Sequence, residues 1–171
     1  IMTVPGIFQL DKDGVIVDTH QTLGARLIAL EKSGELRTED IQAALHQIFT
    51  NVRLKHLVEV RGADRPPKGH EMAPVAFWTG VLTSESVRDE ILSVVKKWTL
   101  EDRHHFNKVS LVLDDSQIGP EGKSYREWNQ WVGEMAIAGL KERCLGEEKF
   151  FEEFFNIVMG KGPFSLQGQT G

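Results

Sequence analysis

The sequence predicts a helix-rich α+β fold, and three features predict it. Apolar residues recur at helical spacing over most of the chain, period-two alternation is confined to short segments, and capping signatures separate one helix from the next. Ile7, Phe8 and Leu10 lead into Asp11-Lys12-Asp13-Gly14, and Val15, Ile16 and Val17 follow, so β-formers flank a turn whose glycine tolerates positive φ. This reads as a hairpin. From Thr19 the residues Leu23, Leu27 and Leu30 fall at helical spacing, with Gly34 placed as a stop. A second helix is expected with Thr38 as its cap, Glu39 and Asp40 at its positive end, and Ile41, Leu45 and Ile48 as its stripe. The period then changes, because Val52, Leu54, Val58 and Val60 alternate with Arg53, Lys55, Glu59 and Arg61. This predicts one strand from Val52 to Arg61.

Pro66 and Pro67 end that strand, and Pro74 suits the first turn of a helix containing Phe77, Trp78 and Leu82. Ser84 is placed to cap a helix striped by Val87, Ile91, Val94 or Val95, and Trp98. Thr99 and Asp102 form a capping box for Leu100 to Lys108. Residues Val109 to Lys123 lose the pattern and read equally as a short strand or a mobile loop. Ser124 and Glu127 form a second capping box, opening a helix from about Tyr125 to Arg143. Phe150, Phe151, Phe154, Phe155 and Val158 mark a last helix over Glu147 to Met159, stopped by Gly160. Gly160 to Gly171 is expected as a loose tail, and the whole as six or seven helices in one domain.

Composition excludes several function classes. Twenty Lys and Arg against twenty-five Asp and Glu give a net charge of −5, too acidic for a protein that coats nucleic acid. Apolar runs are broken by charge far short of the roughly 20 residues a membrane span requires. The lone Cys144 closes no intramolecular disulfide, and no tripartite leader precedes the first polar stretch, so secretion is disfavoured and a cytoplasmic location expected. A start at Ile1 and a glycine-rich end suggest a piece of something larger.

Side chains alternate along a strand, so Arg53, Lys55, Leu57, Glu59 and Arg61 share one face and Val52, Leu54, His56, Val58 and Val60 the other, which is expected to be core. From Asn51 to His70, five cationic residues stand against Glu59 and Asp64 in a chain that is negative overall. Guanidiniums pair with phosphate or carboxylate, and a carboxylate two residues away is a Mg²⁺ ligand type, so Glu59 and Arg61 together point to phosphoryl chemistry. The same alternation is also the ordinary pattern of a solvated sheet face, and the residues alone leave both readings open. His104 and His105 point in different directions on a helix and lack a third ligand at metal spacing. Trp128, Trp131 and the Phe150 to Phe155 group fit core better than a stacking box. Cys144 follows a helix end, where no positive dipole would activate it.

Ile48-Phe49-Thr50-Asn51-Val52-Arg53-Leu54-Lys55, running into Val58-Glu59-Val60-Arg61-Gly62-Ala63-Asp64, resembles the signature of plant and proteobacterial glutamate-cysteine ligases. Blocks similar to the family's follow in order at Ala76 to Leu82, Trp98 to Arg103 and Ala138 to Arg143, after Val4 to Phe8 and Lys12 to Asp18 upstream. The resemblance implies the helix-rich C-terminal portion of a glutamine-synthetase-like catalytic domain. It also implies ATP- and Mg²⁺-dependent ligation of the glutamate γ-carboxylate to the cysteine amine through an acyl phosphate, the first step of glutathione synthesis. On this sequence it implies Glu59 as a metal ligand, Arg61 as a catalytic and phosphate-binding residue, Arg53 as a second anion contact and Pro5 as part of the amino-acid pocket. The partners implied are glutamate, cysteine and a missing N-terminal half carrying further acidic ligands, so that residues 1–171 form a partial domain inactive alone.

The chain departs from the family at Gly6, Ala44, Thr50-Asn51 and Pro66 to His70. These departures keep two alternatives open: a non-catalytic binding or regulatory module that retains the ligase scaffold, and a carboxylate-amine ligase with another amine acceptor.

Overall fold

The computed structural model describes every residue except 1, 8, 11–12, 18–19, 49–50, 55–56 and 168–171. The fold is helix-rich α+β, as the periodicity predicts, and the chain forms two compact units, Ile1–Ala63 and Asp64–Gly171.

Among the described residues, the paired strands lie in the first unit. β1 (Gln9–Leu10) and β2 (Ile16–Val17) are antiparallel, and Gly14 takes a φ of 77° in the turn between them. The expected turn residues Asp11 and Lys12 lie outside the described residues, as does Thr19. Helix α1 (Leu23–Ser33) starts where the Thr22 side chain accepts from the Ala25 N–H, and it ends at Gly34 with a φ of 74°. The segment before β1 runs over its first turn, with the Leu23 N–H donating to Val4 O at 2.8 Å. A Cβ on Gly24 would stand 2.5 Å from the Met2 Cα, so only glycine admits that passage.

Helix α2 (Thr38–His46) corrects the expected cap. Arg37 precedes it, donating its N–H to Asp40 Oδ2 at 3.1 Å and its Nε to the same oxygen at 3.2 Å. Asp40 serves the helix start from inside the first turn, and Thr38 becomes helical. Ile48 lies beyond the helix end.

The expected strand from Val52 to Arg61 is instead a ribbon of two short strands, β3 (Val52–Leu54) and β4 (Val58–Val60), antiparallel with Arg53 opposite Glu59. Period-two alternation is local and continues unchanged through a chain reversal, so it conceals the turn. Of the even-numbered face expected as core, Val52 is 49% and Val58 60% exposed, while Val60 is half-buried.

The second unit is helical. α3 (Ala73–Thr83), with proline in its first turn, leads to α4 (Glu85–Val95), capped by Ser84 Oγ accepting from the Val87 N–H, and to α5 (Leu100–Val109), opened by the Thr99–Asp102 box. α6 (Tyr125–Glu142) carries the Ser124–Glu127 box, and α7 (Lys149–Lys161) and α8 (Phe164–Gln167) complete the unit. Gly160 lies within α7 instead of ending it; the stop is Gly162, with a φ of 79° and an N–H donating to Val158 O at 2.8 Å. Within Gly160 to Gly171, Phe164–Gln167 is helical and 168–171 lie outside the described residues.

The core of this unit lies where α3 and α6 cross. A Cβ on Gly80 would stand 2.1 Å from Ala136 O, and one on Gly139 would stand 2.1 Å from Gly80 O. Backbones this close bury Ala73, Ala76, Val81, Ala136 and Leu140, with Phe151 from α7 closing the cluster. Trp128 is also buried, and its indole N–H donates to Pro120 O at 3.1 Å. The aromatic residues at helical spacing are thus largely core, although Phe150 faces outward at 46% exposure.

Of residues 109–123, Val109 ends α5 and the rest form a folded loop. Asp114 accepts from the Ser116 N–H and hydroxyl and from Gln117, and Ile118 bridges to Ser124. No helix among the described residues is long and apolar enough to cross a membrane.

Candidate functional site

The β3–β4 register places Arg53 directly across from Glu59, and Arg61 follows two residues later on the same face. The Arg61 N–H donates to Asn51 O at 2.7 Å, which carries the ladder one step past β4 and holds the Arg61 backbone in extended pairing. Arg53 donates from Nε to Glu59 Oε2 at 2.9 Å, with Nη2 2.8 Å from the same oxygen. Arg61 Nε lies 3.7 Å from Glu59 Oε1. The three side chains are 21%, 35% and 23% exposed in the order Arg53, Glu59, Arg61, so the cluster is partly desolvated yet reachable from solvent.

Three expected site residues therefore meet. Pro5 does not take part in these contacts; it is exposed and bridges Thr22 at the start of α1. Lys55 lies outside the described residues, and Arg65 and Lys68 are exposed residues of the second unit. The direct Arg53–Glu59 pairing is the feature that the strand reading missed. Its signal was present: Val52 and Leu54 mirror Val60 and Val58 about His56, the symmetry that a ribbon produces.

Chemically, the cluster fits an anion better than a cation. Planar guanidiniums present paired donors to phosphate or carboxylate oxygens. Mg²⁺ takes near-octahedral oxygen coordination, and among the described residues no group of three His, Cys, Asp or Glu is arranged to hold a metal. Glu59 alone supplies a single carboxylate, already engaged by Arg53.

The remaining polar clusters serve the fold. Ser84 and Ser86 hydroxyls each donate to Glu142 at 2.6 Å and hold its carboxyl below the usual carboxylate range. A carboxylate so held is a weak base, so the trio is a clasp between the start of α4 and the end of α6. His105 Nε2 lies 2.8 Å from Ile118 O, which ties α5 to the folded loop. Cys144 is exposed, with its Sγ donating to Lys141 O at 3.5 Å.

Comparison with known proteins bears on the same ribbon. The model of glutamate-cysteine ligase family 2 matches residues 2–158. The chain belongs to that family. It is 42% identical over 126 residues to a chloroplastic glutamate-cysteine ligase of Medicago truncatula, covering 73% of this chain and 25% of that protein. The Nicotiana tabacum chloroplastic enzyme is 41% identical over 120 residues, covering 70% and 23%. The Oryza sativa subsp. indica glutamate-cysteine ligase A, also chloroplastic, is 42% identical over 126 residues, covering 73% and 25%. The chain thus spans about a quarter of the length of the curated relatives it matches.

These names overturn the expected cytoplasmic location, since the three relatives are each called chloroplastic. A lone cysteine argues against an oxidising compartment, and it does not separate one reducing compartment from another.

Proposed function

We propose that this chain is the C-terminal part of a glutamate-cysteine ligase that joins the glutamate γ-carboxylate to the cysteine amine at the expense of ATP, and that it acts in the plastid. The observation that carries this reading is that the family match at residues 2–158 runs through the ribbon where Arg53, Glu59 and Arg61 converge. ATP with Mg²⁺ would supply the phosphoryl group that activates the γ-carboxylate, giving an acyl phosphate. Arg61, with Arg53 beside it, binds the anionic oxygens and steadies the charge that grows during transfer. Glu59 would supply one carboxylate to a Mg²⁺ ion, and the further ligands would come from the rest of the parent protein. Pro5 is assigned to the amino-acid pocket on the family resemblance alone.

The reading is tested by coupled ADP release from the full-length parent, screened over amine acceptors with glutamate fixed. ADP release that requires both glutamate and cysteine, with γ-glutamylcysteine as product, is the expected result. Turnover indifferent to glutamate would overturn the reaction, and preference for another amine would replace cysteine as acceptor. A fluorescent fusion of the parent that stays out of plastids would overturn the location.

A further inference from the structure

Ser86 is exposed in the first turn of α4, one residue past the helix start, and its hydroxyl is spent on side chains alone. It donates to Glu142 Oε1 at 2.6 Å and lies 3.1 Å from Ser84 Oγ, while the buried Ser84 donates to Glu142 Oε2 at 2.6 Å. Glu85 precedes Ser86, and Asp89 and Glu90 stand at the third and fourth places after it, all three exposed. Acids downstream of a serine form a charge pattern that basic substrate grooves of acidophilic kinases read. Thr99 and Ser124 also have an acid at the third place, but each accepts the N–H of that residue, so esterifying either would cost a helix cap. Ser86 caps no helix, because Ser84 holds that place on α4. Two guanidiniums already lie at this joint: Arg88 Nη1 donates to Leu82 O at 2.9 Å and Arg143 Nη1 to Thr83 Oγ1 at 3.1 Å.

We propose that Ser86 is a phosphorylation site and that its phosphate opens the clasp between α4 and α6. In a serine kinase supplied with ATP, Ser86 Oγ attacks the γ-phosphorus. The Oγ–P bond forms, the bond from that phosphorus to the bridging oxygen of ADP breaks, and the hydroxyl proton passes to the kinase's base. That proton is the one donated to Glu142 in the closed clasp. Esterification therefore removes a donor and adds roughly two negative charges at an oxygen 2.6 Å from a carboxylate, which drives Glu142 away. Arg88 and Arg143 are the cations placed to pair with the phosphate instead. The clasp also acts as a gate, since a kinase must draw the first turn of α4 open to reach Oγ and the bond to Glu142 opposes that opening. All of these residues belong to the second unit, so the switch stands whether or not the ligase reading holds.

The test is incubation of the 171-residue chain, and of the full-length parent, with casein kinase II and ATP, followed by mapping of the phosphate by mass spectrometry. Phosphate on Ser86 is expected in both proteins and is expected to be lost in Ser86→Ala. Phosphate on Thr99 or Ser124 in its place, or an unmodified Ser86 in either protein, would overturn the proposal. Glu142→Ala frees the hydroxyl and is expected to raise the initial rate of Ser86 labelling roughly tenfold, the size of one hydrogen bond to a charged acceptor. An unchanged or slower rate would show that the clasp does not guard the serine, and would overturn the coupling. Should Glu142→Ala fail to fold, the phosphorylated native chain decides by NMR. Its Glu142 carboxyl carbon must titrate at higher pH than in the unmodified chain, and an unmoved titration rejects the switch.

Discussion

Arg61 and Glu59 are neighbours on one strand face, yet they are expected to fail differently when changed. On the proposed reading, Arg61→Ala in the parent protein would remove a positioned cation from developing negative charge, with an expected loss in kcat/KM of about 2–4 kcal/mol. Steady-state kinetics decides it, and wild-type turnover would remove Arg61 from the reaction. Glu59→Gln should raise the Mg²⁺ concentration needed for half-maximal rate, and an unchanged Mg²⁺ titration would take Glu59 out of the metal site. At this scale the sequence was informative because residue type limits chemistry: a guanidinium is permanently charged and a carboxylate is a hard oxygen donor. Residue type did not show that Arg53 and Glu59 touch, which depends on a register between strands.

Helix ends and crossings were the most legible elements. Thr99, Ser124 and Ser84 cap the helices that their spacing implied, because a capping hydrogen bond spans only three residues and is decided locally. Thr99→Ala is expected to cost about 1 kcal/mol in denaturant unfolding. Cap and clasp carboxylates also give the fold an acid limit. Thr99 holds Asp102, Ser124 holds Glu127, and Ser84 with Ser86 holds Glu142 below the usual carboxylate range, all by hydrogen bonds to the ionised form. Their folded-state values lie below the unfolded ones, so their contribution is complete above the ordinary carboxylate range and is lost as pH falls through the folded values. The melting temperature should hold steady from neutrality to roughly pH 5 and decline below about pH 4. Glu142→Gln should flatten part of that decline; an identical profile would show that the clasp does not titrate.

The glycines make a contrasting pair. Gly139→Ala drives a methyl into the Gly80 carbonyl and should cost about 3 kcal/mol or more, or prevent folding. Gly160, inside α7, has nothing within 4 Å of a built Cβ, so Gly160→Ala should instead stabilise, by about 0.5–1 kcal/mol. Equal effects at the two sites would refute the crossing as the tightest part of the core.

For the whole molecule, the chain spans about a quarter of its relatives and carries, among the described residues, no three-residue metal cluster. On the proposed reading, in which the remaining ligands come from the rest of the parent, the isolated chain is expected to release no ADP with ATP, Mg²⁺, glutamate and cysteine. Measurable glutamate-dependent turnover by the chain alone would overturn its dependence on outside ligands. By itself the sequence determined the helix-rich class, most helix boundaries and the family, because periodicity, capping and motif chemistry act over a few neighbours. Only the tertiary structure decided that residues 52–60 double back as a ribbon, that Arg53 grips Glu59, and that Val52 and Val58 face outward. Strand pairing joins residues across a reversal that period-two alternation leaves unmarked, and burial depends on which other surfaces arrive.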